Sequence, residues 1–136
     1  MIKNEREYKI TKAALARFEA SLEQIERLRF KGGKNTAKLK LQEAAAKSML
    51  SELQEQIAEY DQLKRGKFKL SALDVVETIP INLIRARIAL GWTQKDLAQR
   101  LGTTEQQIQK YESTDYESAS FRKIAEIASV LKQAST

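Results

Sequence analysis

One proline and five glycines punctuate 136 residues, and that scarcity limits the fold more than any other feature of the chain. A many-stranded sheet needs frequent turns, and Gly and Pro supply most of the backbone angles those turns demand. The abundant residues are instead Ala, Leu, Gln, Glu, Lys and Arg, which are the best helix formers. The expected class is all-α. With 42% hydrophobic residues, a chain of this length can bury about two thirds of its unfolded surface as a compact monomer.

Two absences narrow the chemistry. Zero Cys and zero His remove disulfides, thiolate nucleophiles, imidazole metal ligands and the commonest general base. The carboxylates Asp61, Asp74 and Glu77 form no acid/base pair in the sequence, and Gly32-Gly33 lacks the spacing of a phosphate loop. An enzyme is not expected, and neither a metal nor another cofactor. The net charge of +6 suits a polyanionic partner without demanding one. Asn4, Glu5 and Arg6 follow Met1 closely, and no apolar run reaches the length of a bilayer span or a signal-peptide core. The expectation is a soluble, cytoplasmic protein with no membrane partner.

Three segments separate along the chain: a helical hairpin over 1–66, a connector over 67–79 and a second unit over 80–136. Leu15, Phe18, Leu22 and Ile25 step by three and four, which predicts an amphipathic helix over 11–30. Lys31-Gly32-Gly33-Lys34-Asn35-Thr36 breaks it, and Asn35 or Thr36 can cap the next start. In the second helix Leu39, Ala46, Leu50, Leu53, Ile57 and Tyr60 keep a heptad frame interrupted at Glu43. Lys64-Arg65-Gly66 stops it. The stripe reads first as a buried face, with a seam between two chains as the alternative. Lys31, Lys34, Lys38 and Lys40 read as a solvated turn, against a supplementary phosphate patch. The connector has β-branched content at Val75, Val76 and Thr78 and no assigned structure. Residues 1–79 carry +4 and residues 80–136 carry +2, so the basic excess is not concentrated at the C-terminal end.

The second unit has the most informative spacing. Pro80 suits a first helical turn, and Ile81, Ile84 and Ile88 form an apolar face that ends at Gly91. Thr93 can cap a helix over 94–101, with Leu97, Ala98 and Leu101 inward and Gly102 terminating it. Thr103-Thr104 caps a third helix over 105–112, with Ile108 and Tyr111 on its buried side. Two helices joined by about three residues with a Gly have the spacing of a helix-turn-helix. Ala98 is small enough to let them approach, so that one helix can protrude into a major groove about 12 Å wide. Thr104, Glu105, Gln106, Gln107, Gln109 and Lys110 would face outward. Gln can pair bidentately with adenine, and Lys can donate to guanine acceptors. Trp92 and Tyr111 read as core packing rather than base-stacking platforms.

Gly91-Trp92-Thr93-Gln94-Lys95-Asp96-Leu97-Ala98-Gln99-Arg100-Leu101-Gly102-Thr103-Thr104-Glu105-Gln106-Gln107-Ile108-Gln109-Lys110-Tyr111-Glu112 resembles the Cro/repressor-type helix-turn-helix, the Xre class of bacterial and phage regulators. The likeness extends from about Leu83 to Leu131. It implies a lambda-repressor-like, five-helix-type domain that binds double-stranded DNA. It further implies that Thr104, Glu105, Gln106 and Lys110 face bases and that Gln94 contacts phosphate; Gln107 is expected to contact phosphate as well. Arg87 and Glu112 match an ion pair common in the family, and Phe121, Ile124, Ala125, Ile127, Ala128 and Leu131 would close the core after a Ser120 cap. Two positions depart from the family pattern. Glu105 stands where Gln is frequent, and the loop Ser113-Thr114-Asp115-Tyr116-Glu117-Ser118 has no cation. Part of the phosphate contact is therefore expected at Lys95, Ser118, Ser120 and Arg122.

The expected function is a sequence-specific DNA-binding regulator, a repressor acting as a homodimer held by the N-terminal hairpin. In layout alone the chain resembles antitoxins of the HigA kind, which implies the alternative of a toxin partner held by the N-terminal helices. A purely structural coiled coil would show no salt-dependent DNA binding.

Overall fold

A computed structural model describes residues 1–33 and 35–135. Among the described residues the regular elements are all helical, with no strand. Six α-helices follow in order: α1 (Glu5–Phe30), α2 (Thr36–Lys64), α3 (Ile79–Ala89), α4 (Gln94–Leu101), α5 (Glu105–Ser113) and α6 (Phe121–Ala134). The chain divides into two compact units, Met1–Tyr60 and Asp61–Thr136.

In the first unit α1 starts at Glu5, six residues before the expected boundary at residue 11. Asn4 is its N-cap, accepting from the Glu7 N–H at 2.9 Å, and the Glu7 carboxylate accepts from the Lys3 N–H at 2.7 Å. Local capping satisfies the first-turn donors and starts the helix at Glu5. α1 and α2 pair as an antiparallel hairpin. Near its open end Tyr8 stacks on Tyr60 with centroids 4.9 Å apart, and the Tyr60 hydroxyl donates to Glu5 at 3.1 Å. Near its turn Arg29 pairs with Glu43.

Glu43, the break in the heptad frame, is 7% exposed in the seam. It is held there by Arg29 and by Lys47 at 2.8 Å. Those cations, Lys47 foremost, keep its carboxyl below the usual Glu range. Ala46, Leu50, Ile57 and Tyr60 of α2 are buried, whereas no residue of α1 is. The α1 stripe of Leu15, Phe18, Leu22 and Ile25 stays half-buried, because one partner helix covers only one side of it. Lys34 lies outside the described residues.

In the second unit the segment with no assigned structure forms two short 3-10 turns, Leu70–Asp74 and Val76–Thr78. They are tied to α3 by Asn82, 5% exposed, whose amide donates to the Ala72 carbonyl at 2.9 Å and the Thr78 hydroxyl at 3.1 Å. Leu73, Leu83, Ile84, Ala86, Ile88, Leu97, Ala98, Ile108, Ile127 and Leu131 form the core. α3 begins one residue before Pro80, which occupies its first turn, where the missing N–H costs nothing.

Three expected core positions are corrected. Ile81 is 36% exposed, and Arg87 takes a place on the buried face of α3. Phe121 is 76% exposed and Ala125 is also exposed. At the first turn of α6 the aromatic ring has no neighbouring helix over it, and it stands at the rim of an open groove shared with Leu73, Ile79, Ile124 and Ala128. The residue that enters the core in its place is Tyr116, 2% exposed. The sequence had placed it in a polar loop.

Candidate nucleic-acid interface

Local rules build the α4-turn-α5 pair. Thr93 and Asp96 form a reciprocal capping box: the Asp96 N–H donates to the Thr93 hydroxyl at 3.0 Å, and the Thr93 N–H donates to Asp96 at 2.8 Å. The Thr93 N–H first, then its hydroxyl, hold the Asp96 carboxyl below the ordinary Asp range. α4 ends at Gly102 with φ +68°, a left-handed angle that costs Gly little. The Gly102 N–H then reaches Gln99 O at 3.3 Å, and the Thr103 N–H reaches Ala98 O at 3.0 Å, closing the last orphan carbonyls. Thr104 caps α5 by accepting from the Gln107 N–H at 3.2 Å. Only Gly102, Thr103 and Thr104 separate the two helices.

α5 is anchored by Ile108 and Glu112, 0% and 1% exposed. The Glu112 carboxylate accepts from Arg87 Nε at 2.6 Å, Arg87 Nη2 at 3.0 Å and Gln94 Nε2 at 2.7 Å. Arg87 Nη1 donates to the Trp92 carbonyl at 2.8 Å. One buried network thus fixes α3, the start of α4 and the end of α5 to one another. Below it Tyr111 stacks on Tyr116, centroids 5.9 Å apart. Asp115 and Tyr116 have φ of +48° and +64°, unfavourable for residues with a Cβ. They turn the chain so that the Tyr116 ring is buried. Its hydroxyl has no hydrogen-bond partner among the described residues. Burial, with Glu112 nearby, raises its pKa well beyond the ordinary Tyr value.

With that face committed, the opposite face of α5 is free. Thr104, Glu105, Gln106, Gln109 and Lys110 are exposed, and Gln107 is half-buried. Gln109 lies 3.5 Å from the Glu105 carboxylate to which it donates. Lys95 on α4 and Arg122 on α6 are exposed, as are Ser118 and Ser120. Ser118 shares a hydrogen bond with Thr114 at 3.2 Å, and Ser120 caps α6 by accepting from the Lys123 N–H at 3.1 Å. The Thr114 hydroxyl gives its hydrogen to the Lys110 and Tyr111 carbonyls at 3.3 Å, so Ser118 is the donor to it, whereas the accepting Ser120 hydroxyl keeps its own hydrogen to donate. Gln94 sits differently, 7% exposed and donating inward to Glu112. Trp92 is half-buried, with the Arg100 guanidinium 3.8 Å from its ring centroid, and Tyr111 is also half-buried.

Sequence reading missed Tyr116 and Asn82 as structural residues. The one signal for Tyr116 was an aromatic residue five positions after Tyr111 in a loop otherwise polar. Among the described residues, no group of three His, Cys, Asp or Glu side chains could hold a metal ion, and no helix is long and apolar enough to cross a membrane.

Comparison with known proteins gave one match. Neither the curated proteins nor the solved structures compared with the chain matched it. Residues 83–134 match a family described as helix-turn-helix. The match spans α4, the turn, α5 and α6 with most of α3, and it suggests a DNA-binding regulator. The family matched by residues 83–134 is the Cro/C1-type helix-turn-helix.

Proposed function

We propose that this protein is a sequence-specific DNA-binding repressor acting in the cytoplasm, which reads the major groove with α5 and binds as a homodimer. The carrying observation is the division of α5 into two faces. Ile108 and Glu112 are locked in the core, while Thr104, Glu105, Gln106, Gln109 and Lys110 project from it. A helix so held presents hydrogen-bonding side chains on a rigid base, which base-edge reading requires. Gln106 is assigned to adenine, Lys110 to guanine and Glu105 to the cytosine amino group, with Thr104 beside them. Lys95 and Arg122 carry charge to the phosphates, the Ser120 hydroxyl and the Gln107 amide donate to them, and Ser118 joins them by turning its hydroxyl away from Thr114. Gln94 has a second amide hydrogen for a phosphate beyond the one given to Glu112. Dimerisation through the hairpin is supported by the half-buried stripe on α1, which a second copy would cover.

The test is selection from a random-sequence duplex library, followed by affinity measurement on the enriched duplex. Gln106→Ala and Lys110→Ala should each cost about 1 to 3 kcal/mol while the fold survives. Unchanged affinity in the double variant refutes the assignment of the reading helix. A second reading, an antitoxin that holds a toxin through its N-terminal helices, is favoured by the apolar side chains that unit 1 leaves exposed, Phe30 at 96% and Leu41 at 74%. Co-purification of a ribonuclease-like partner encoded beside the gene would support it.

A further inference from the structure

The entire net charge of the chain resides in sixteen residues at the hairpin turn. Residues 27–42 contain six basic residues and no acidic one, and outside them eighteen cations balance eighteen anions. Two of the six are partly neutralised, Arg29 by Glu43 and Arg27 by Glu23 at 3.8 Å. Lys31, Lys38 and Lys40 are exposed. Lys38 and Lys40 lie in the first turns of α2, a helix with no acidic residue in its opening turn. Cations there oppose the helix dipole and cost local stability, so helix formation does not explain the cluster. The C-terminal unit is meanwhile poor in phosphate anchors, since its loop after α5 offers Asp115 and Glu117 and no Lys or Arg.

We infer that Lys31, Lys38 and Lys40 form a second, sequence-independent site for the phosphate backbone of duplex DNA, which supplies electrostatic affinity that the reading helix lacks. The inference rests on the reading of the C-terminal unit as DNA-binding. Charge complementarity selects a polyanion, and each lysine that neutralises a phosphate releases counterions, so the site has a salt signature of its own. Phe30 at the end of α1 and Leu41 near the start of α2, both exposed, are groups that an anionic membrane surface would also engage. Vesicles therefore form the other arm of the test.

The 136-residue chain and its Lys31→Gln/Lys38→Gln/Lys40→Gln variant are titrated by fluorescence anisotropy against a random-sequence duplex at several salt concentrations, with circular dichroism checking the fold. Three phosphate contacts predict a slope of log K against log salt shallower by about 2.7 for each bound chain. Between 50 and 200 mM salt the wild type should lose about 40-fold more affinity than the variant. The triple Lys→Arg variant should retain the wild-type slope, and base preference on the selected duplex should not change. A Gln variant with the wild-type slope overturns the proposal. So does a variant that loses binding only to phosphatidylserine vesicles. If that happens while Gln106→Ala/Lys110→Ala still weakens binding to the selected duplex, the second site fails and the reading helix stands. Absence of any duplex binding by the wild type overturns both.

Discussion

Glu112→Ala would leave the Arg87 guanidinium, whose side chain is 3% exposed, buried without the carboxylate that pairs with it. Three donors converge on that carboxylate: Arg87 Nε at 2.6 Å, Arg87 Nη2 at 3.0 Å and Gln94 Nε2 at 2.7 Å. Charge-assisted hydrogen bonds are each worth about 1.5 to 3 kcal/mol, but three that share one acceptor do not add. The governing quantity is the cost of stranding a buried charge, about 3 to 5 kcal/mol when one partner of a buried pair is removed. Against a total stability of about 5 to 15 kcal/mol, that is a large fraction. Arg87→Met combined with Glu112→Leu leaves no buried charge unpaired, only the Gln94 amide and the Trp92 carbonyl without these partners, and should fall about 1 to 3 kcal/mol below the wild type. Trp92 is the single tryptophan of the chain, and its carbonyl accepts from Arg87, so its fluorescence during urea titration reports on this unit. With a slope of about 1 to 3 kcal/mol per M, the single variant should shift the midpoint down by roughly 1 M or more. A cost below about 1 kcal/mol for Glu112→Ala, or a double variant as unstable as the single, would refute the stranded-charge reasoning.

Two further outcomes follow from the buried and paired groups. Tyr116→Phe removes a hydroxyl that is buried without a partner among the described residues, and thermal melting should show a gain of about 1 to 2 kcal/mol. A lower melting temperature would contradict it. Because the Tyr116 pKa is raised on folding, its contribution is complete below the ordinary Tyr value, about 10, and declines as pH rises beyond it. The Phe variant should lack that alkaline decline. Glu43 titrates in the opposite sense. Its pKa is lowered by Lys47 and Arg29, so its stabilisation of the hairpin is present above the ordinary Glu value of 4.5 and fades as pH falls below it. Glu43→Gln should flatten the acid limb of a helicity-against-pH profile, and superimposable limbs would count against the ion pair.

The α4-turn-α5 pair was legible residue by residue because every signal in it is local. Thr93, Gly102 and Thr104 act on backbone groups within four positions of themselves, and Ile108 lies on the inner face by helical period alone. α1 was legible only in part, since its period begins at Leu15 whereas its cap at Asn4 acts through a hydrogen bond from the Glu7 N–H, ahead of that stripe. Glu43 interrupted the heptad pattern, yet its partner Arg29 lies across the hairpin, and no window along the sequence contains that pairing.

All-helical class, helix order, the three-residue turn and the polar row on α5 were determined by sequence alone, because propensity, capping and periodicity depend on neighbours a few residues away. Tertiary structure decided which residues are buried where the pattern was ambiguous. It drew Gln94 inward to a carboxylate eighteen positions later, seated Tyr116 in the core through two left-handed residues and left Phe121 uncovered. The physical reason is the same in each case: burial is a property of what packs against a side chain, and that partner is supplied by a distant part of the chain.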